Sequence, residues 1–189
     1  MAHSRIFELL KERPDDTLEP INYDFLNSDE LLDGHDYFLG PIADYVIDDC
    51  SRKEDFKWLV GAIANSVGDS IIYQDITDDG FRNYMSWSFA EGDDETAEAW
   101  IKFHYGFKRA YFQPKYKQFR ENVSSISLKE FMGDDTGYRL YLLKECFGEK
   151  FGFYVYDCDE LKMLDDFVRG LPEDKETTIW LGGTVDYHY

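Results

Sequence analysis

The chain has 189 residues, of which 39 are acidic and 20 are Lys or Arg, so its net charge is −19 at pH 7. That charge disfavours contact with nucleic acids and anionic membranes, and it favours contact with basic proteins and cations. Hydrophobic residues make up 43% of the chain and aromatic residues 17%, which excludes disorder along its whole length.

The sequence lacks the usual signals for a membrane or secreted protein. No apolar run approaches the roughly 18 residues that span a bilayer, and the first 16 residues lack the apolar core of a signal peptide. Cys50, Cys146 and Cys158 are odd in number and show no CxxC spacing, which suits a reducing compartment. We therefore predict a single cytoplasmic domain over 1–189, without membrane contact.

Two helices are predicted in the first third of the chain. Apolar residues within 5–12, followed by Pro14, indicate a first helix. Residues 15–40 are polar and rich in Asp, and 41–46 suit a short helix or a strand. The clearest helix covers 52–67, because Ser51 and Glu54 have capping-box spacing and the apolar residues that follow lie on one helical face.

An antiparallel meander is predicted in the middle of the chain, over about 70–108. Residues 70–76 are rich in strand-forming side chains, the Asp-Asp-Gly at 78–80 suits a turn, and apolar residues alternate over 81–89. Alternation over 99–108 predicts a third strand.

The C-terminal third mixes helices and strands. We predict a short helix after the capping-box pattern of Ser127 and Glu130, another over 137–147, and a third beginning at Asp157. Strands are predicted near 151–157 and near 177–187, the latter with a bulge or bend at its Gly-Gly pair. A parallel strand–helix–strand unit over 151–185 is an alternative, but the meander favours an α+β fold with about five helices.

One segment differs from the acidic chain around it. Residues 100–120 read WIKFHYGFKRAYFQPKYKQFR and contain six Lys or Arg, eight aromatic residues and no carboxylate, so the other 168 residues carry −25. Aromatic side chains among cations suit single-stranded nucleic acid or an acidic ligand. Alternatively, the aromatics belong to the core and the cations pair with nearby acids. The candidate ligand-binding residues are Trp100, Lys102, His104, Lys108, Arg109 and Lys115.

Six Asp-Asp pairs are distributed along the chain, at 15–16, 48–49, 78–79, 93–94, 134–135 and 165–166. Paired carboxylates could imitate the phosphates of a nucleic acid, although Asp is also common in turns and at helix N-termini. We select as candidate partner contacts the pairs in or beside amphipathic helices, Asp48, Asp49, Asp165 and Asp166.

Signals for catalysis are weak. Asp157 and Asp159 follow an apolar strand, where two carboxylates can hold Mg²⁺, and they are the only metal candidates. The sequence has no GxSxG, HExxH, phosphate-binding glycine loop or GxGxxG motif. We therefore predict no cofactor and assign no catalytic residue.

These observations favour a non-enzymatic acidic protein that binds and neutralises a basic partner. The expected partner is a nucleic-acid-binding protein or a nuclease, as for an anti-restriction or anti-CRISPR inhibitor, an immunity protein or a nucleic-acid mimic. Two alternatives stay open: binding of single-stranded nucleic acid or an acidic ligand through 100–120, and an enzyme with a carboxylate or metal site.

Overall fold

The computed structural model describes residues 3–14, 45–47, 51–69, 71–90, 97–133, 136–145, 154–157 and 160–188. Strands from both ends of the chain lie in one sheet. The strands are β1 (His3–Leu10), β2 (Tyr45–Ile47), β3 (Asp79–Arg82), β4 (Met85–Phe89), β5 (Ala99–Phe103), β6 (Tyr154–Tyr156), β7 (Leu161–Met163) and β8 (Thr177–His188).

Five α-helices occur in the part of the chain that the structure describes. They are α1 (Arg52–Ser66), α2 (Phe107–Ser124), α3 (Leu128–Met132), α4 (Thr136–Glu145) and α5 (Leu164–Gly170), with a single 3₁₀ turn at Tyr73–Asp75. The predicted α+β class is confirmed. None of the helices described is long and apolar enough to cross a bilayer.

The sheet has the strand order β3-β4-β5-β8-β1-β6-β7, and β2 pairs with the end of β8. All neighbours are antiparallel except β1 and β6. The meander β3-β4-β5 was predicted, but its first hairpin lies further along the chain. The strand predicted over 70–76 is wrong, because residues 73–75 form a 3₁₀ turn. The turn predicted at 78–80 is also wrong, because Asp79 and Gly80 belong to β3 and the turn between β3 and β4 lies at 83–84.

The sheet also excludes the parallel strand–helix–strand alternative over 151–185. β1 lies between β6 and β8, parallel to β6 and antiparallel to β8, so β6 and β8 run in opposite directions. A helix was predicted to begin at Asp157, and this starting point is wrong. Strand β7 follows Asp157, and α5 begins only at Leu164. The Asp157 N–H instead donates to the Glu160 carbonyl, which closes a tight connection between β6 and β7.

The helix predicted over 5–12 is wrong, because these residues form most of β1. This strand lies between β8 and β6, and Ile6, Phe7 and Leu9 are at most 2% exposed. A strand that is buried on both faces has a nearly continuous apolar sequence, and over eight residues its periodicity cannot be distinguished from that of a helix.

Helix α1 agrees with its prediction and covers one face of the sheet. The Ser51 side chain accepts a hydrogen bond from the Glu54 N–H, as the capping-box spacing indicates. The buried face of α1 packs with residues of α2 and α5 against β1, β4, β5 and β8 in one hydrophobic core. Arg52 ties α1 to β8, because its guanidinium donates to the carbonyls of Leu181 (2.7 Å) and Gly182 (2.8 Å).

A turn and the first residues of α2 replace the second half of the predicted third strand. β5 ends at Phe103, and Gly106 then adopts a left-handed conformation (φ 82°) before α2 begins. Phe107 and Tyr111 are buried, whereas most residues after Pro114, which lies inside the helix, are exposed.

The Gly-Gly irregularity predicted in the last strand is confirmed. Phe7 pairs with Thr184 and Leu9 with Leu181, so Glu8 of β1 lies opposite both Gly182 and Gly183. The Glu8 carboxylate is buried and accepts a hydrogen bond from the Gly183 N–H at 3.3 Å. Burial raises the pKa of Glu8, and the bond from Gly183 lowers it by less.

Candidate functional site

The first part of segment 100–120 lies in β5, where alternate residues face opposite sides of the sheet. Ala99, Ile101 and Phe103 are buried in the core beneath the helices. Trp100 and Lys102 point to the other face and are partly exposed. There the Trp100 ring lies 6.5 Å from that of Trp180 in an edge-on arrangement. The odd-numbered residues therefore belong to the core, and the even-numbered ones form part of a solvent-facing surface.

A carboxylate of the loop before β8 neutralises this surface. Glu176 Oε2 lies 2.6 Å from Lys102 Nζ, and Glu176 Oε1 lies 2.8 Å from His104 Nδ1. The hydrogen bond from Lys102 is the main reason that the pKa of Glu176 is lowered, and His104 contributes second. The carboxylate is therefore ionised at neutral pH.

His104 also contacts a serine of the neighbouring strand. Its Nε2 atom lies 3.1 Å from the Oγ atom of Ser86 in β4. Ser86 is paired with Lys102 across the β4-β5 ladder and with Phe81 across the β3-β4 ladder. Ser86, His104 and Glu176 thus form a continuous hydrogen-bonded chain, with the histidine in the middle.

A cavity of about 200 Å³ lies on the other side of His104, at the start of α2. Its wall includes the cations Lys108, Arg109 and Lys175 and one carboxylate, that of Glu173, together with apolar residues such as Leu171 and Pro172. Lys108 Nζ donates to the backbone carbonyls of Arg169 (2.5 Å) and Leu171 (2.9 Å). Neither Arg109 nor Lys175 has an ionic partner among the described residues.

Lys115, the last of the predicted ligand-binding cations, neutralises a buried carboxylate of the protein itself. Lys115 Nζ lies 2.5 and 2.6 Å from the two carboxylate oxygens of Asp165, which also accepts a hydrogen bond from Tyr111 at 2.7 Å. Asp165 is 6% exposed. The structure therefore brings His104, Lys108 and Arg109 together at the cavity, but it directs Lys115 elsewhere.

The four Asp residues predicted to contact a partner have different environments. Asp165 holds α5 to α2 and does not present its carboxylate to solvent. Asp166 is partly exposed and pairs with Arg169 three residues later. Asp48 and Asp49 lie outside the described residues.

The weak metal candidates do not form a cluster in the described part of the chain. Asp157 pairs with Lys162 at 3.2 Å and with Lys11 at 3.8 Å, and Asp159 lies outside the described residues. Within the described ranges, no group of three or more His, Cys, Asp or Glu side chains could hold a metal ion.

A second surface combines exposed apolar side chains. Eleven large hydrophobic residues are exposed in the described part of the chain, and eight of them lie within 116–141. We call these eight the apolar surface; they are 44–78% exposed and belong to α2, α3 and α4 (Tyr116, Val123, Leu128, Phe131, Met132, Tyr138, Leu140 and Tyr141). The eight residues lie on three consecutive helices, and large exposed apolar areas on soluble proteins mark sites of interaction.

Sequence reasoning did not identify Ser86, Glu176 or Lys175. Ser86 and Glu176 carry no local motif, and they meet His104 only because β4, β5 and the start of β8 are adjacent. Alternating small polar residues in β4 indicated a solvent-facing side, but not which carboxylate would reach it. The apolar surface was missed because its residues follow the spacing of ordinary amphipathic helices.

Comparison with known proteins leaves the assignment to the geometry. No protein-family model, no curated protein and no solved structure matches the chain.

Proposed function

We propose that this chain is an acidic interaction protein that binds and neutralises a basic, nucleic-acid-binding or nuclease partner. The apolar surface of α2, α3 and α4 is the observation that carries the proposal, since it supplies aromatic anchors that a binding protein needs. The binding itself requires no catalysis, and it matches the action of anti-restriction, anti-CRISPR or immunity-type inhibitors and of nucleic-acid mimics.

The charge distribution favours a basic partner. Residues 15–50 contain 11 Asp or Glu and no Lys or Arg. In the described part, Lys102 and Lys115 pair with Glu176 and Asp165, so two cations of segment 100–120 are matched by carboxylates and the net charge of the chain stays at −19. A large negative potential accelerates encounters with positively charged proteins.

The same charge argues against a second copy of the chain as the occupant of the apolar surface. Two chains that each carry −19 repel one another at moderate ionic strength. A basic partner gains from both the apolar contact and the opposite charge.

The proposal predicts that Phe131→Ala combined with Tyr138→Ala weakens partner binding at least 10-fold, since each truncation removes an exposed aromatic anchor. The wild-type chain is immobilised, exposed to nuclease-treated lysate and washed in salt steps. Captured proteins are identified by mass spectrometry, and the Kd of each purified basic protein is then measured for the wild type and for the double variant. Association should slow as salt rises.

The matched control is Ile72→Ala, because Ile72 is 63% exposed and lies outside the apolar surface. This variant should bind as the wild type does. Capture of no basic protein, or equal Kd values for the double variant and the wild type, would contradict the proposal.

A second candidate function is the binding of a small acidic ligand in the cavity beside His104. The specific observation is that Arg109 and Lys175 line it without an ionic partner in the described part of the chain. With Lys108 the wall has three cations against the single carboxylate of Glu173. A cavity of about 200 Å³ admits a small organic anion rather than a folded partner.

Arg109→Ala should weaken binding of a small dicarboxylate such as glutarate about 10-fold, because it removes one of the charges that face the cavity. Isothermal titration calorimetry measures the change, with Arg120→Ala as a control on the same helix but outside this cavity. Absence of binding by the wild type to glutarate and to inorganic phosphate would remove this candidate.

A further inference from the structure

We propose that Ser86, His104 and Glu176 form a nucleophilic site that hydrolyses small carboxylic esters. The Ser86 Oγ to His104 Nε2 distance is 3.1 Å, and the His104 Nδ1 to Glu176 Oε1 distance is 2.8 Å. A serine, a histidine and a carboxylate in this order constitute the arrangement that activates a serine hydroxyl in unrelated folds, where geometry rather than sequence position defines it.

The directions of the hydrogen bonds fix the tautomer that this chemistry needs. Ionised Glu176 can only accept, so the proton of a neutral His104 ring lies on Nδ1. Nε2 then has a free lone pair and accepts the Ser86 hydroxyl proton. Glu176 acts as a positioning residue, whereas Ser86 and His104 would contact the reacting atoms.

The site is accessible from solvent. Ser86 is partly exposed on the sheet face opposite the helices, and the side chains of His104 and Glu176 are 23% and 38% exposed. Phe81, which is 66% exposed, places its ring 5.5 Å from the His104 ring and offers an apolar contact for an acyl chain.

Lys102 supplies a positive charge on the same face. It is the direct partner of Ser86 in the β4-β5 pairing, so the two side chains stand next to each other. Its ammonium group lies 2.6 Å from Glu176 Oε2, so it holds in place the ionised carboxylate that orients His104.

The reaction needs only the ester and water. Ser86 Oγ bonds to the carbonyl carbon while its proton passes to His104 Nε2, and the bond to the leaving alcohol breaks as His104 returns that proton to the departing oxygen. Water then attacks the acyl-serine through the same base and releases the carboxylic acid. His104 and Ser86 regain their initial protonation states.

The preferred ester should carry an anionic group. His104 is also part of the wall of the cavity that contains Lys108, Arg109 and Lys175, so a carboxylate there would lie one side chain away from Ser86. This preference rests on the second candidate function, whereas the nucleophilic site does not.

A fluorophosphonate probe tests the nucleophile directly, because an activated serine displaces its fluoride and retains the phosphonyl group. Mass spectrometry should locate the adduct on Ser86 of the intact wild-type chain. His104→Asn should slow labelling at least about 100-fold, which is the usual contribution of a general base, and Glu176→Gln about 10-fold.

Ser88 provides the matched control. It lies two residues along β4 and is partly exposed like Ser86, but its hydroxyl donates to Asp79 instead of a histidine. Ser86→Ala should abolish the adduct, and Ser88→Ala should leave it unchanged. Far-ultraviolet circular dichroism and thermal unfolding confirm that each variant is folded.

Three outcomes would overturn the proposal: no adduct on Ser86 under conditions that label a known serine hydrolase, equal labelling of Ser88, or an unchanged rate in His104→Asn.

The ester preference is tested separately with p-nitrophenyl acetate and mono-p-nitrophenyl glutarate. Arg109→Ala should raise KM about 10-fold for the anionic ester alone. If Ser86 is labelled but Arg109→Ala does not raise KM for the anionic ester alone, the nucleophilic site stands, and the binding of acidic ligands in the cavity is contradicted.

Discussion

At the scale of single residues, Gly182 occupies a position where β8 has no room for a side chain. A Cβ atom there would lie 2.1 Å from Oε2 and 2.9 Å from Cδ of Glu8, well inside van der Waals contact. The constraint comes from the opposing strand rather than from the backbone conformation. Glycine is favoured at Gly182 because a Cβ atom there would force the buried Glu8 side chain to move away from the bulge.

Gly182→Ala should lower the free energy of unfolding by about 1–3 kcal/mol, the usual cost of overpacking, because Glu8 must move and lose its bond from Gly183. Combining it with Glu8→Ala removes the clash with Oε2 and Cδ, so the two changes should cost less together than the sum of the single variants. Urea denaturation of the four proteins measures this coupling. Additive effects would show that Glu8 does not restrict Gly182.

At the scale of elements, α3 is held by contacts within a short stretch of chain. The Ser127 Oγ accepts from the Glu130 N–H, the Glu130 carboxylate accepts from the Ser127 N–H, and Arg139 of α4 donates to the same carboxylate at 2.9 Å. The bond from the Ser127 backbone is the main reason that the pKa of Glu130 is lowered to about 2, followed by the bond from Arg139.

The stability of α3 should therefore depend on pH. Because the pKa is lower in the folded state, the stabilisation by Glu130 is fully present above the ordinary value of about 4.5 and is lost as pH falls towards about 2. Amide hydrogen exchange of residues 128–132, relative to that of α1, should accelerate over this range. Glu130→Gln should lack this pH dependence, and a wild-type profile in that variant would contradict the assignment.

Each element could be predicted from the sequence only when the contacts that determine it join residues close together along the chain. α1 and α3 were predictable because Ser51 and Ser127 bond to residues only three positions away. β1 was not, because its partners in β8 follow about 175 residues later and its apolar residues fit a helix equally well. The bulge at 182–183 was an exception, since two adjacent glycines mark an irregular strand without information on its neighbours.

At the scale of the whole molecule, long separations along the chain are also the reason that the candidate sites were only partly predictable. The cations of segment 100–120 were visible in the sequence, but Glu176 lies 72 residues after His104, and Asp165 lies 50 residues after Lys115. Pairings at such distances depend on the strand order and on how α5 packs against α2. The sequence therefore indicated which residues were unusual, whereas the fold determined which became counter-charges and which remained at a surface.

The position of Pro114 inside α2 has a further consequence for the apolar surface. Proline has no N–H group, so the Ala110 carbonyl receives no helical hydrogen bond from residue 114, and the helix is weakened between its buried and exposed halves. The buried first half is secured by the core, while the second half has little burial to oppose local unfolding. A partner that binds at Tyr116 would restrict the motion of these last turns as well as cover the side chain. Part of its contact energy would offset that loss of conformational entropy, so a stiffer helix would yield a tighter complex without any new contact.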